Sequence, residues 1–182
     1  MNALFLVLVL VVGLLCCLNL LLTVGVVRRL REHSELLATR GGPNESDVPV
    51  GLEVGEFAAV TLDGVEVGRD DLAEDCIVAF FMHDCSPCRE KMPRFVEYAR
   101  KLPGGRDQTL VVVAEDDGKE REFAEALAPV ARVVVTNGMG PVAGAFKVSA
   151  FPTMLRVARD ELGQVRVSAN SIDLDQPMGA LI

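Results

Sequence analysis

Cys85 and Cys88 are the two residues of this 182-residue chain whose type and spacing carry a reaction. They lie in Cys85-Ser86-Pro87-Cys88, after an apolar run at 77–81 that breaks at His83 and Asp84, and before a segment with helical spacing. At the first turn of a helix a sulfur meets unpaired backbone N–H groups and the positive end of the helix dipole, and both favour thiolate over thiol. A free cysteine titrates near ~8.5, whereas one so placed falls to roughly 3.5–7.5 and is nucleophilic at neutral pH. Cys85 is the expected attacker. Cys88, about one turn further in, is placed to close a disulfide and release a bound partner. Pro87 suits the first helical turn, where its missing N–H costs nothing.

A zinc site is the rival chemistry for such a pair, and it needs two more ligands. The chain offers His33 and His83 and has no second C-x-x-C, so no metal is expected. His83 either acts as an acid-base group beside Cys85 or solvates the strand end. Asp84 is read as a modifier of Cys85, because a carboxylate next to a thiolate raises its pKa. Of the other cysteines, Cys16 and Cys17 lie in an apolar stretch and Cys76 begins a strand, so packing is their expected role. Glu115, Asp116 and Asp117 read as a solvated turn. From Glu45 onward 14 basic side chains face 24 acidic ones, which excludes the phosphate-meeting surface that nucleic acid requires.

The elements that must position the thiols follow from patterning. Residues 76–82 read as the central strand, and 87–102 as the motif helix with Met92, Phe95, Val96, Ala99 and Leu102 on one face. Residues 57–62 and 65–67 read as a hairpin around a tight Asp63-Gly64 turn. Residues 110–114 form a continuous apolar run expected to be covered on both faces. A helix at 119–127, a strand at 132–136, a helical turn at 142–146 and a terminal hairpin of 154–157 with 165–168 complete an α/β order, predicting a mixed sheet flanked by helices. Pro177 and Gly179 leave any closing helix short or absent.

In front of this domain, residues 3–27 are almost wholly apolar, with Asn19 and Thr23 the only polar side chains. That exceeds the ~20 residues needed to cross a bilayer, and a single N-terminal transmembrane helix is predicted. A cleaved signal peptide fits less well: no basic residue precedes the run, the run is long, and no small-x-small site follows. Residues 28–50 read as a juxtamembrane helix and linker, broken at Gly41-Gly42-Pro43-Asn44, and 51–182 as the folded domain. Arg28, Arg29 and Arg31 after the anchor would, by the positive-inside tendency, hold that domain in the cytoplasm.

The stretch from about Val54 onward resembles the thioredoxin fold of membrane-anchored thiol-disulfide oxidoreductases, the TlpA/ResA class, and within it the MauD-like proteins. Three features carry the resemblance: Cys85-Ser86-Pro87-Cys88 after a strand, Pro93 five residues beyond, and Phe151-Pro152-Thr153 before a strand, which is similar to the family's cis-proline loop. The departures are Asp84 where the family has Trp, and Ala79 where it buries an acid. The resemblance implies a thioredoxin-like fold and a loop at Pro152 packed beside the motif. Phe151 then either touches substrate or is simple core. It further implies substrates that are cysteine pairs of exported proteins, an electron donor in the membrane, an extracytoplasmic domain at the cell membrane and no bound cofactor. The alternative is a non-catalytic assembly factor or chaperone for an exported partner.

Overall fold

The computed structural model describes residues 5, 7, 8, 10–16, 18, 19, 46–115 and 118–175. The chain divides into two compact units, 1–43 and 44–182. In the first, the described residues are all helical with exposed side chains. No helix among the described residues is long and apolar enough to cross a membrane. The rest of the expected anchor at 3–27, residues 28–45 of the expected linker, and Asp116, Asp117, Pro177 and Gly179 lie outside the described residues.

The second unit is built on a five-stranded sheet in the order β5 (Arg132–Thr136), β4 (Thr109–Ala114), β3 (Cys76–Met82), β6 (Thr153–Arg159), β7 (Val165–Ala169). Its central strand, β3 (Cys76–Met82), is buried along all but its last residue, as a continuous apolar run requires. Alternation splits it cleanly: Cys76, Val78 and Phe80 enter one core, and Ile77, Ala79 and Phe81 the other. β3 runs parallel to β4 (Thr109–Ala114), which runs parallel to β5 (Arg132–Thr136). On its other side it pairs antiparallel with β6 (Thr153–Arg159), and β6 with β7 (Val165–Ala169).

Two helices, α1 (Ser86–Arg100) and α2 (Glu120–Leu127), fill the core on the Phe81 face with Phe95, Tyr98, Ala99, Phe123, Ala124 and Leu127. The short α3 (Gly140–Ala145) lies on the opposite face with Val142 and Ala143. Gly140 is required there: its φ is +58°, and a Cβ would lie 2.0 Å from Thr136 Oγ1. The predicted mixed sheet with helices on both faces is the observed one. After β7 the described residues carry no further helix.

The first hairpin differs from expectation. β1 (Ala58–Val60) and β2 (Glu66–Gly68) form a separate two-stranded sheet, and Asp63-Gly64 is not a two-residue turn. Thr61 N–H donates to Val65 O at 2.9 Å, leaving a three-residue loop that ends in Gly64 at φ +78°. The shift is driven by Leu62, whose N–H donates to Val133 O on β5 at 2.8 Å and so leaves the hairpin ladder. Arg106 fastens the same loop, with Nη1 3.1 Å from Asp63 Oδ2 and Nε 3.0 Å from the carbonyls of Ala128 and Ala131. The Arg106 guanidinium holds the Asp63 carboxyl down to about 2. The contribution of this pair is therefore present at neutral pH and lost as pH falls through about 2.

Candidate active site

β3 ends at Met82 and α1 begins at Ser86, so Cys85 lies in the turn between them and Cys88 in the first turn of the helix. Cys85 is the N-cap of α1, in extended backbone at φ −90° and ψ 110°. Its sulfur accepts the Cys88 N–H at 3.3 Å, taking the role a serine or aspartate oxygen usually fills at a helix start. Pro87 falls in the first turn, where the helix has no use for its N–H. Pro93 sits inside α1, and the helix continues through it.

Cys85 and Cys88 are joined as a disulfide with their Cα atoms 5.2 Å apart. They are not equivalent. Cys85 is partly exposed, whereas Cys88 is wholly buried in the apolar cluster under α1. A partner reaching this site meets Cys85, and Cys88 waits behind it.

The Phe151–Pro152 peptide is cis, as the resemblance implied for this loop. The loop lies on the motif: the Phe151 carbonyl oxygen is 3.5 Å from Cys85 Sγ, and Thr153 Oγ1 donates to Ala150 O at 2.8 Å to hold it closed. Phe151 and Pro152 are half-buried. The Phe151 side chain packs against both cores, while its carbonyl is the group beside Cys85.

Asp84 is exposed, and Lys119 Nζ stands 3.2 and 3.3 Å from its two oxygens. Lys119 first, and His83 second, hold the Asp84 carboxyl below the usual carboxylate range. The expectation that Asp84 simply opposes the Cys85 thiolate is therefore modified, since its charge is matched. His83 Nδ1 lies 3.6 Å from Asp84 Oδ1 and Nε2 lies 3.3 Å from Glu122 Oε2, while its ring packs on Phe123 at 5.3 Å. Arg89 Nη1 donates to His83 O at 3.4 Å. Sequence reasoning missed Lys119, Glu122 and Arg89. The one local signal was a cation at the start of α2, where the helix dipole disfavours it unless a partner is present.

Ala79 faces the apolar cluster that holds Cys88, and its neighbours across the ladders are Val111 and Met154. Among the described residues no carboxylate side chain belongs to a buried residue. Among the described residues no group of three or more His, Cys, Asp or Glu side chains is placed to hold a metal ion.

Cys76 begins β3 and is wholly buried, with burial pushing its thiol up to about 11. In reduced, folded protein at pH 8, iodoacetamide should alkylate Cys85 and leave Cys76 unmodified until denaturant is added, as read by peptide mass spectrometry. Labelling of Cys76 at the rate of Cys85 would overturn its assignment as inert core.

A scan of family models finds no match, and a search of curated protein sequences finds none. Solved structures do match. A thio-disulfide isomerase from Thermus thermophilus aligns with a TM-score of 0.51 at 17% identity, over 69% of this chain and 89% of its own. A secreted Mycobacterium tuberculosis disulfide oxidoreductase homologous to E. coli DsbE aligns with a TM-score of 0.51 at 16% identity, over 65% and 89%. An uncharacterized conserved protein from Geobacillus kaustophilus aligns with a TM-score of 0.54 at 19% identity, over 76% and 77%. At these identities the likeness is one of fold, and the domain has the thioredoxin-like α/β fold in which such oxidoreductases are built.

Proposed function

We propose that this chain is a protein thiol-disulfide oxidoreductase, tethered to the cell membrane by residues 3–27 and acting outside the cytoplasm on cysteine pairs of exported proteins. The observation that carries the redox reading is the arrangement of the dithiol. Cys85 Sγ caps a helix N-terminus, is partly exposed and lies 3.5 Å from the Phe151 carbonyl, with Cys88 buried behind it.

In the reducing direction the Cys85 thiolate attacks one sulfur of a substrate disulfide. A Cys85–substrate disulfide forms, and the other substrate sulfur leaves as a thiolate that takes up a proton. Cys88 then loses its proton to solvent and attacks Cys85 Sγ. The Cys85–Cys88 disulfide forms and the second substrate thiolate departs. Two electrons pass from the protein dithiol to the substrate disulfide, and a dithiol donor at the membrane restores the starting state. With electrons moving the other way the same steps oxidise a substrate dithiol. Phe151 and Pro152 line the approach to Cys85, and Pro87 and Asp84 border it.

The apolar surroundings of Cys88 favour a second reading, a thioredoxin-like assembly factor that binds an exported partner without turnover, because among the described residues no buried acid stands by to take the Cys88 proton. Full-length protein in detergent micelles should accelerate insulin reduction by dithiothreitol, and the absence of any acceleration would turn the assignment to the assembly factor. The tether is tested separately. A membrane-impermeant maleimide applied to intact cells should label reduced Cys85, and labelling only after lysis would place the domain inside.

A further inference from the structure

The β3–α1 turn is linked to the start of α2 by a run of charged and polar side chains that disulfide exchange itself does not require. Lys119, the N-cap residue of α2, reaches both oxygens of Asp84. Behind it the His83 ring lies between Asp84 and Glu122, with Nδ1 3.6 Å from Asp84 Oδ1 and Nε2 3.3 Å from Glu122 Oε2, and rests on Phe123. The side chains joined in this run are thus Asp84 and His83 on the turn of Cys85, Arg89 on α1, and Lys119 and Glu122 on α2. Loop residues Phe151 and Pro152 bring no charge.

Magnitude decides what the Lys119–Asp84 pair is for. Its side chains are 50% and 53% exposed, and an ion pair so solvated adds little to folding stability. A cation at a helix N-terminus is unfavourable by itself. Asp84, the residue immediately before Cys85, is a partner that offsets this cost. An unmatched carboxylate there would oppose the helix terminus and the Cys88 N–H, the two features that hold negative charge on Cys85 Sγ.

We propose that Lys119 is a positioning residue that cancels the Asp84 charge beside Cys85, so that the reduced site keeps its thiolate and the couple is more oxidising than it would be without it. This rests on the reading of Cys85–Cys88 as the redox centre. More thiolate stabilisation favours the reduced form, so removing Lys119 must shift the couple toward the disulfide and raise the pH at which Cys85 becomes reactive.

The test uses full-length protein carrying Lys119→Met, Lys119→Arg, Asp84→Asn, or Asp84→Asn with Lys119→Met. Two readouts are taken: the equilibrium of the Cys85–Cys88 disulfide with reduced and oxidised glutathione at pH 7.5, and the pH midpoint of Cys85 alkylation followed by peptide mass spectrometry. Lys119→Met should shift the equilibrium about three- to tenfold toward disulfide and raise the midpoint, on the order expected for one unbalanced charge near a solvent-facing thiol. Asp84→Asn should shift both readouts the other way, the double variant should lie within about twofold of wild type, and Lys119→Arg should keep wild-type values. In 1 M salt, where the screening length is about 3 Å, the single-variant shifts should shrink. Wild-type values for Lys119→Met would overturn the proposal while leaving the redox centre standing. Failure of the wild-type disulfide to equilibrate with glutathione at all would overturn both.

Discussion

Cys88→Ser should turn the chain into a trap: mixed with a protein disulfide, it should accumulate an adduct through Cys85 that only added dithiol releases. Cys85→Ser should form no adduct and lose turnover by on the order of 10³-fold or more, because the nucleophile itself is gone. The two variants lose the same cross-link, and because Ser at the buried position 88 also places a hydroxyl in an apolar cluster, trapping is compared at a temperature where both are folded. Burial predicts the direction of the difference. Cys85 is partly exposed at the cap of α1, with its sulfur beside the Phe151 carbonyl, whereas Cys88 is 0% exposed beneath the helix. An incoming disulfide reaches the first sulfur and is screened from the second. Non-reducing electrophoresis with mass spectrometry of the adduct reads the result directly. Equal trapping by both variants would remove the assignment of Cys85 as attacker, and trapping by Cys85→Ser alone would reverse it.

Much of this site was legible because its parts are local. The run at 77–81 is apolar at every position, and its short length and β-branched and aromatic content suit a strand covered on both faces, so β3 and its neighbour β4 stand out locally. The step from β3 to α1 is written in Pro87 and the cysteine spacing, and the loop at Phe151-Pro152 is marked by its proline. What was not legible depends on contacts between segments far apart in the chain. Lys119 lies 35 residues beyond Asp84, and nothing around either residue names the other. The register of the first hairpin was likewise decided from outside, by the hydrogen bond of Leu62 to β5, which overrode the local preference of Asp63-Gly64 for a tight turn. Local pattern therefore sets the chemistry available to Cys85, and tertiary contact sets the field in which it works.

That field depends on α1 and α2 being held in register over the end of β3, and Phe81 is the side chain that holds them. It is 0% exposed, with its ring 5.3 Å from Phe95 on α1 and 6.4 Å from Phe123 on α2, both edge-on. Edge-to-face pairs at these separations add to the burial itself. Phe81→Ala should cost about 3–5 kcal/mol, the usual range for a buried phenylalanine whose cavity cannot fully collapse. For a domain of this size that corresponds to a fall in Tm of roughly 10–20 °C. Leu162→Ala is the control, since its side chain is 84% exposed and its loss should fall within about 0.5 kcal/mol of wild type. Thermal unfolding followed by circular dichroism checks both. The functional consequence separates core from site: Phe123 also supports the His83 ring at 5.3 Å, so loosening this cluster releases Glu122 and Lys119 from the β3–α1 turn. Below its own Tm, the Phe81→Ala protein should therefore still form a Cys85 adduct with a substrate disulfide, but with a glutathione equilibrium displaced toward that of Lys119→Met. An unchanged Tm would mean that α1 and α2 dock on the sheet independently of this ring, and the account of how the site is held together would have to be rebuilt on other contacts.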